Sequence, residues 1–468
     1  MKKIIIIGII GMLLISGFTV TSTLAGEIVG ILDQTTIYVD DDYNETTPGW
    51  GIDHFNKTQD AIDIANSGDT IFVYNGTYIE NLNIFKNLTL IGENKEKTII
   101  ISSDKEDFTI DIGHLVHTVI VNISGFTLKN NGNLPALFIH HSDNNNISNN
   151  NIEINTSAGL YVLSSENNVI KDNVFLNGGA YFEFSKDNIV ENNNVNDKPL
   201  VYLEDVSSQA ITDAGQVVLI NCSEIVVKDQ EFTNLYVGIE LQKTDNCLII
   251  DNTFSNNNLG LDVYKSNNNT LFNNTIVDNI KKGINLLCST NNTIFHNNFI
   301  NNNVHAYDLG NNSWDDSYPS GGNYWDNYTG KDNNADGIGD IPYNISGVND
   351  LNKDYYPLMK PWGVPDFKLS IKKGLSVGKV SVTLKNTGNL KISDANLSIN
   401  VTYGFFKRSK NKSSSITLDK GESKTVKIKR VIGFGLILIE ATANFEGITK
   451  KDKKSGVIFG PFIFLFLN

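Results

Sequence analysis

The feature that most constrains this chain is a repeat of about 22 residues that begins near residue 140. Each unit contains a polar turn, a short apolar strand, a polar residue and a second apolar pair, as in NNVIKDNVF and DNCLIIDNTF. The polar residue recurs every 20 to 24 residues, with one interval of 37, at Asn150, Asn173, Asn193, Gln230, Asn252, Asn274 and Asn298. A glycine column recurs in phase with it, at Gly159, Gly179, Gly238, Gly260 and Gly283.

This period predicts an all-β fold, a parallel β-helix of about 10 coils. The period is too short for helical-hairpin repeats, and the fixed leucines of leucine-rich repeats are missing. Successive coils of a β-helix stack at about 4.8 Å, so like residues lie on like, and the Asn column is expected to form an inward ladder of amides that satisfy one another. Asn-rich disorder is the alternative, but 40% hydrophobic residues are too many for a disordered polar chain.

Residues after each column glycine should alternate between the interior and the outer face. Two inward columns are predicted: Leu160, Ala180, Ile239, Leu261, Ile284 and Val162, Phe182, Leu241, Val263, Leu286. Two outward columns are predicted: Tyr161, Tyr181, Glu240, Asp262, Asn285 and Leu163, Glu183, Gln242, Tyr264, Leu287.

The chain divides into four predicted segments. Lys2 and Lys3, an apolar run and Thr23-Leu24-Ala25 are typical of a signal peptide over 1–25, with an uncleaved membrane anchor as the alternative. Residues 37–310 are predicted to form the β-helix. A short helix in the segment NKTQDAIDIANSGD, with its start near Asn56 or Thr58, is expected to cap the first coil. Residues 311–362 form a C-terminal cap, and the short alternating strands of 363–468 predict a small β-sandwich. The closing GVIFGPFIFLFLN is interpreted as its last strand, with a tail anchor as the alternative.

Composition limits the partners. A net charge of −14 argues against nucleic acid, and the three cysteines have no disulfide or metal-ligand spacing. No phosphate-binding loop, dinucleotide motif or nucleophile triad is present, so no organic cofactor is expected. The export signal predicts a secreted or cell-surface protein, in which sequons such as Asn75, Asn122, Asn221 and Asn327 are candidate glycosylation sites. A membrane contact is expected only through an uncleaved N-terminal segment.

One loop has the pattern of a calcium site. Oxygen ligands at the first, third, fifth and ninth positions, with glycine at the sixth, suit the hard Ca²⁺ ion. The predicted ligands are Asp332, Asn334, Asp336 and Asp340. Position 12 is Tyr343, not Glu, so a complete EF-hand is excluded, and a plain Asp/Asn/Gly turn is the alternative.

Sugar chemistry has candidates on the predicted outer face. Glu240 and Asp262 lie on adjacent coils, at a separation near the carboxylate spacing of retaining glycosidases, and Glu183 is a third candidate catalytic residue. The candidate ligand-binding residues of the same face are Tyr161, Tyr181, Tyr264 and Asn285, and the three tyrosine rings can stack on sugars. No further catalytic signature of a polysaccharide enzyme is present, so binding is preferred to turnover.

Several ordered segments resemble NosD-like proteins. They are IYVDDDYNETTPGWGIDHFNKTQDAIDIANSGDTIFVYNGTYIENLNI, LTLIGE, the block 197–232, GGNYWDNYTGKDNNADGIGDIPYNI and DYYPLM, within residues 37–360. The resemblance implies a pectin-lyase-like right-handed β-helix and a carbohydrate-binding and sugar-hydrolysis domain of surface proteins. KNTGN and TLDKGESKTVKI resemble the Ig-like cell-adhesion-related domain of such proteins. The founding NosD member helps deliver copper to nitrous oxide reductase, but scattered histidines and few methionines give copper little support here.

The sequence therefore predicts an exported β-helix that binds glycans or cell-surface proteins and acts as an adhesive or scaffold module. A polysaccharide hydrolase or lyase using Glu240, Asp262 and Glu183 is the first alternative. A copper-delivery accessory protein of NosD type is the second.

Overall fold

The computed structural model describes residues 34–113, 118–347, 352–388 and 390–466. The fold lies within one compact unit, Thr36–Asn468. The predicted signal peptide and its anchor alternative lie outside the described residues. The residues that the structure describes contain no helix long and apolar enough to cross a membrane. A parallel β-helix of about 11 turns followed by antiparallel sheets confirms the predicted fold class.

The first stack of coils has three parallel sheets. Sheet A contains Thr36–Val39, His54–Phe55, Thr70–Val73, Leu88–Gly92, Val121–Ser124, Asn146–Ser148, Val169–Lys171 and Ile189–Glu191. Sheet B contains Gly76–Ile79, Thr98–Ile101, Thr127–Asn130, Asn151–Ile154, Val174–Leu176 and Asn194–Val195. Sheet C contains Leu82–Ile84, Ile110–Gly113, Leu137–His140, Leu160–Leu163 and Ala180–Glu183.

A second stack repeats the arrangement. Sheet D contains Lys198–Glu204, Gln216–Ile220, Val237–Gln242, Leu259–Tyr264, Lys282–Leu287, Val304–Asp308 and Ser346–Gly347. Sheet E contains Ala210–Ile211, Val226–Lys228, Leu248–Ile250, Thr270–Phe272, Thr290–Phe295 and Asn311–Ser313. Sheet F contains Glu231–Thr233, Thr253–Ser255, Thr275–Val277, Asn298–Ile300 and Tyr324–Trp325.

A two-residue hairpin joins the stacks. Asn194–Val195 pairs antiparallel with Lys198 and Pro199, and the turn residues Asn196 and Asp197 both have positive φ, at 50° and 66°. Asn and Asp tolerate that backbone conformation, and it matches the twist of the flanking strands. The hairpin joins sheet B to sheet D and accounts for the interval of 37 in the repeat.

The Asn ladder is present in two pieces. Asn150 donates its side-chain N–H to Asn173 at 3.2 Å, and Asn173 donates to Asn193 at 3.0 Å. The second piece begins at Gln230, whose backbone N–H donates to Asn252, and it continues through Asn274, Asn297 and Asn323. The predicted last rung, Asn298, was wrong by one residue: its side chain bonds the backbone of Trp362 instead.

Both predicted inward columns are buried. The glycine column has a steric cause, since a Cβ on Gly260 would lie 2.4 Å from the carbonyl oxygen of Gly283 on the next coil. The glycines of adjacent coils therefore approach too closely for any side chain.

Two caps close the ends of the helix. The helix Thr58–Ile64, with Thr58, Ala61 and Ile62 buried, lies against the first coils as predicted. Its first N–H groups donate to the Glu80 carboxylate at 2.9 Å. At the other end, the Trp325 ring stacks on Phe299 at 4.2 Å, beside the small hairpin Tyr343–Asn344 and Lys353–Asp354.

The C-terminal region consists of two antiparallel sheets around one shared core. Sheet G contains Phe367–Ile371, Lys379–Asn386 and Ser423–Lys429. Sheet H contains Gly374–Val377, Ile392–Tyr403, Arg408–Leu418, Gly433–Phe445, Ile448–Gly460 and Phe462–Leu465. The closing apolar segment forms strands, as predicted, as far as Leu465.

Candidate functional site at the junction of the two stacks

The candidate site lies where sheet C ends. Among the described residues, no strand pairs with the backbone of its last strand, Ala180–Glu183, on the junction side, because the hairpin diverts the chain into sheet D. Side chains of sheet D bond its backbone instead. Gln216 accepts from the Ala180 N–H at 2.9 Å and donates to the Ala180 carbonyl at 2.7 Å. Glu240 accepts from the Phe182 N–H at 3.1 Å, and Gln242 donates to the Phe182 carbonyl.

Two carboxylates are buried in this junction. Glu240 is 1% exposed and Asp262 is 6% exposed. Burial raises the pKa of Glu240 well above its usual range, although the bonds from Phe182 and Gln242 oppose the shift. Burial also raises the pKa of Asp262, against hydrogen bonds from Asn285 at 2.7 Å and from the Tyr181 hydroxyl at 2.8 Å. Both groups therefore favour the protonated form more than an exposed acid does.

Glu183 completes the group of carboxylates. It lies on the strand Ala180–Glu183 and accepts a hydrogen bond from the Tyr161 hydroxyl. The pKa of Tyr161 and that of Tyr181 are both raised, chiefly by burial and then by the neighbouring carboxylates. These tyrosines thus act as hydrogen-bond donors.

The predicted residues come together, but not on one open face. Glu240 lies opposite Asp262, and Asp262 opposite Asn285, in the predicted parallel register. Tyr161 pairs with Tyr181 in sheet C, however, while the carboxylates belong to sheet D. The prediction that Glu240, Asp262 and Asn285 face solvent is wrong, because all three are buried.

The space beside the carboxylates is small. A cavity of about 70 Å³ is lined by Tyr181, Glu183, Phe184, Glu240, Gln242, Asp262, Tyr264 and Leu287. A water molecule needs about 10–15 Å³ of such accessible space, so the cavity has room for a few waters. Predicted Tyr264 lies at this cavity, with its ring 5.4 Å from that of the exposed Phe184.

A strip of aromatic rings leads along sheet C to the junction. The rings of successive members lie 4.5 to 5.2 Å apart, and each side chain is half-buried. The aromatic strip consists of Phe108, Phe138, Tyr161, Tyr181 and Tyr236. Beside it, His140 pairs with Asp111 at 3.1 Å, and burial raises the pKa of Asp111 to about 6.

Sequence reasoning missed Phe108, Phe138 and Tyr236. Phe138 could have been found, because ALFIHHS aligns with GLYVLS once alanine is allowed in the glycine column, and Phe138 then precedes Tyr161. Phe108 and Tyr236 lie just outside strands, where the repeat gives no register.

Two lysines border the far side of the site. The Lys282 amine donates to Asn285 at 2.8 Å and lies 4.1 Å from the centre of the Tyr307 ring. Lys281 lies over the ring of Tyr236 at 5.4 Å. The end of the strip therefore meets both acidic and basic groups.

The predicted calcium loop is ordered by its own hydrogen bonds. The Asp332 carboxylate accepts from the Gly337 N–H at 2.9 Å, and Asp340 accepts from the Asn333 N–H at 2.8 Å. Asn334 donates to Asp336 at 2.9 Å. These contacts are those of an Asx-type turn as well as of a cation loop, so calcium binding stays a prediction.

Solved structures similar to this chain include a pectin methylesterase from Erwinia chrysanthemi, with 13% identity, a TM-score of 0.25 and coverage of 53% of this chain and 79% of that one. An alginate lyase from a Paenibacillus species has 12% identity, a TM-score of 0.24 and coverage of 62% and 97%. A tailspike protein of an Acinetobacter baumannii bacteriophage, a capsular polysaccharide depolymerase, has 11% identity, a TM-score of 0.23 and coverage of 93% and 84%. Comparison with curated proteins finds no match.

One family model matches the chain over residues 62–215 and 209–330, and its description is periplasmic copper-binding protein (NosD). The two matches together span more than half of the 468 residues and include both stacks of coils. The chain therefore belongs to the NosD family.

Proposed function

We propose that this protein is an extracytoplasmic β-helix that binds glycans along its aromatic strip. The observation that carries the proposal is the strip itself, in which five rings on neighbouring coils form one continuous surface. The periplasmic description of its family and the predicted export signal support the location.

The strip has the chemistry of a sugar platform. Three of its four ring pairs are tilted by 52° to 58°, so part of each ring face is left free by its neighbour. Sugar rings present C–H faces that pack on aromatic rings, while their hydroxyls need nearby polar groups. Glu183, Asp111, His140 and Lys281 supply such groups beside the strip.

Charge favours a neutral glycan. Residues 1–362 contain 19 Lys and no Arg against 45 Asp and Glu. A surface with that excess repels polyanions at low ionic strength. Neutral polysaccharides such as mannan, xylan and glucan are therefore the class that the strip is expected to bind.

A polysaccharide hydrolase or lyase is a weaker candidate. A raised pKa on Glu240 suits a general acid. A catalytic acid must also reach the glycosidic oxygen, whereas Glu240 already bonds Phe182 and Gln242 in a junction with room for a few waters. The contacts of Glu240 favour a structural role.

Copper delivery is not supported by the described residues. Among them, we looked for three His, Cys, Asp or Glu residues whose ligand atoms lie within 4.8 Å of one another. Asp40, Asp41 and Asp42 are the one such group. Carboxylate oxygens alone suit hard cations rather than copper. Cys247 is buried, with a pKa raised to about 11 by that burial, and so remains a thiol. His114 and His117 lie outside the described residues.

Affinity electrophoresis of the full chain in gels containing mannan, xylan, glucan or alginate tests the proposal. Wild type should be retarded by a neutral polysaccharide, and Tyr161→Ala should weaken that binding about tenfold, because it removes a central ring. Phe272→Ala, a half-buried aromatic change on sheet E, is the matched control and should bind as wild type.

Equal retardation of Tyr161→Ala and wild type, or no retardation in any gel, would overturn the proposal. Analysis of the incubated polysaccharide for new reducing ends or unsaturated products checks the enzyme alternative. Turnover that Glu240→Gln abolishes would support catalysis instead.

A further inference from the structure

The C-terminal sandwich has a charge opposite to that of the rest of the chain. Residues 363–468 contain 19 Lys and Arg against 7 Asp and Glu, whereas residues 1–362 are strongly acidic. A basic module on an acidic chain indicates a partner with negative charge. The glycan proposal for the β-helix does not use this region.

One end of the sandwich carries a cluster of exposed apolar side chains. Phe405 and Phe406, in the turn after Ile392–Tyr403, are 80% and 89% exposed. Neighbouring loops and strand ends add further exposed apolar residues. We call this cluster the apolar tip: Val377, Phe405, Phe406, Ile432, Phe434, Leu436, Phe459 and Phe462.

Backbone hydrogen bonds hold the apolar tip together. The Phe405 N–H donates to the Phe434 carbonyl at 3.0 Å, and the Gly404 N–H donates to the Leu436 carbonyl at 2.8 Å. The rings of Phe434 and Phe459 lie 5.3 Å apart, edge to face. The exposed side chains thus form one ordered surface rather than scattered positions, and a surface of this kind marks an interaction site.

Basic residues surround the apolar tip. Lys407 and Arg408 follow the two phenylalanines directly, and Lys429 and Arg430 precede Ile432. The Lys410 amine donates to the Arg430 carbonyl at 2.6 Å, which brings the two basic segments side by side. The apolar tip therefore has a cationic rim.

The apolar tip lies at the end of the strands away from the β-helix. The opposite end contains Gly388 and the turn at Lys420 and Gly421, which face Asp336 and Gly337 of the cap. The strand Ile392–Tyr403 has 12 residues and spans about 40 Å at 3.4 Å per residue. The β-helix thus leaves the apolar tip free to meet a surface.

We propose that the apolar tip docks on a membrane with anionic headgroups. Phenylalanine side chains would enter the boundary between headgroups and acyl chains, while the cationic rim contacts the headgroups. A second copy of the chain fits less well, because two basic sandwiches would meet and repel each other. The projecting turn of Phe405 and Phe406 also suits a deformable lipid surface better than a flat protein face.

Vesicle sedimentation with the full chain tests the proposal. Wild type should pellet with phosphatidylglycerol–phosphatidylcholine vesicles and much less with phosphatidylcholine alone, and high salt should release it. Phe405→Ser with Phe406→Ser should lower the partition coefficient at least about tenfold, since two apolar anchors are lost. Both positions are highly exposed, so the fold should persist.

The matched control is Ile52→Ser with Ile79→Ser, two exposed apolar residues of the β-helix, which should bind as wild type. Binding that is equal in the phenylalanine pair and wild type, or the absence of wild-type sedimentation, would overturn the proposal. So would light scattering that finds a dimer which the phenylalanine pair dissociates, because the tip would then bind a second copy.

Discussion

In the ladder columns of the regular coils the buried polar side chains are amides and hydroxyls, whereas at the junction of the stacks they include carboxylates. Asn252, Asn274 and Asn297 repeat one bonding pattern from coil to coil, with each amide oxygen accepting from the rung before it. Glu240 and Asp262 instead satisfy a strand edge and a tyrosine that belong to the other stack. At a repeating corner, each amide can thus hydrogen-bond the same amide of the next coil. Where the repeat is interrupted, the buried side chains must instead bond groups of a different kind.

The C-terminal cap resembles the junction in this respect. Buried Asp354 accepts from the Trp325 indole at 2.8 Å and from the Asn323 N–H at 2.7 Å, and burial raises its pKa to about 7. Asp308 likewise accepts from the Trp314 indole. Buried carboxylates thus lie at both places where the stacking of coils is interrupted or ends, the junction and the C-terminal cap.

The largest effect is expected in the regular ladder. Asn274→Ala should lower the free energy of unfolding by about 3–5 kcal/mol, because each buried polar group left unsatisfied costs about 1–3 kcal/mol. It would remove the acceptor of the Asn252 N–H groups and the donor to the Ile249 carbonyl. Urea denaturation followed by circular dichroism measures the loss.

Asn303→Ala is the control for that measurement, since Asn303 is exposed and its backbone N–H, which the change keeps, donates to the Asn279 carbonyl. Its cost should be within about 0.5 kcal/mol of zero. Equal costs for the two variants would remove the contrast between ladder and surface asparagines.

The glycine column should show a smaller, graded effect. A Cβ on Gly260 meets the Gly283 carbonyl oxygen at 2.4 Å, whereas one on Gly159 meets the ring edge of Phe175 at 2.9 Å and the Gly179 carbonyl oxygen at 3.0 Å. Gly260→Ala is expected to cost about 2–3 kcal/mol by overpacking, and Gly159→Ala less than that. Thermal unfolding of the pair checks the order, and a reversed order would contradict the steric explanation of the column.

The repeat predicted most of the fold because Asn and Gly recur with the same period of about 22 residues. Spacing of Asn and Gly gave the stacking register, as Glu240 opposite Asp262 shows. The spacing did not predict the chain reversal at Asn196 and Asp197. A two-residue turn does not alter the repeat pattern, and an interval of 37 residues is compatible with several chain paths.

The burial of the site could not be predicted either, because the periodicity gives no information on how the two stacks lie against each other. Alternation assigns Glu240 to the outer face of its own sheet. Whether another part of the molecule covers that face depends on where sheet C stops, which is a property of the tertiary structure. The candidate residues were therefore found, but their surroundings were not.

The stability of the junction should depend on pH through Glu240. The folded-state pKa of Glu240 lies well above its ordinary value of 4.5, so the folded chain holds this proton more tightly than the unfolded chain. Stability from the group is present below about pH 4.5 and is lost as the pH rises towards the folded pKa. The loss is at most about 1.4 kcal/mol per pH unit in that window.

Glu240→Gln removes this titration. Urea denaturation at pH 5 and pH 7 should show wild type losing stability relative to the variant as the pH rises between the two conditions. The matched control is Glu231→Gln, the same change at an exposed position outside the junction. A constant difference for Glu240→Gln would place the ionised carboxylate in the folded junction at both pH values.

The smallest effect concerns the cap loop with Asp332, Asn334, Asp336 and Asp340. Extracellular calcium modules bind with dissociation constants of about 10⁻⁴–10⁻³ M, and Ca²⁺ at ten times such a constant adds about 1.4 kcal/mol of stability. Calorimetric titration of the full chain with Ca²⁺ should release or absorb heat in wild type and not in Asp336→Ala, because Asp336 supplies the central ligand of the pattern.

Asp42→Ala, in the acidic group Asp40, Asp41 and Asp42 near the other end, should leave the isotherm unchanged. Loss of heat in Asp42→Ala alone would move the cation from the cap to the first coils, and an isotherm without heat in wild type would leave the loop as an Asx-type turn.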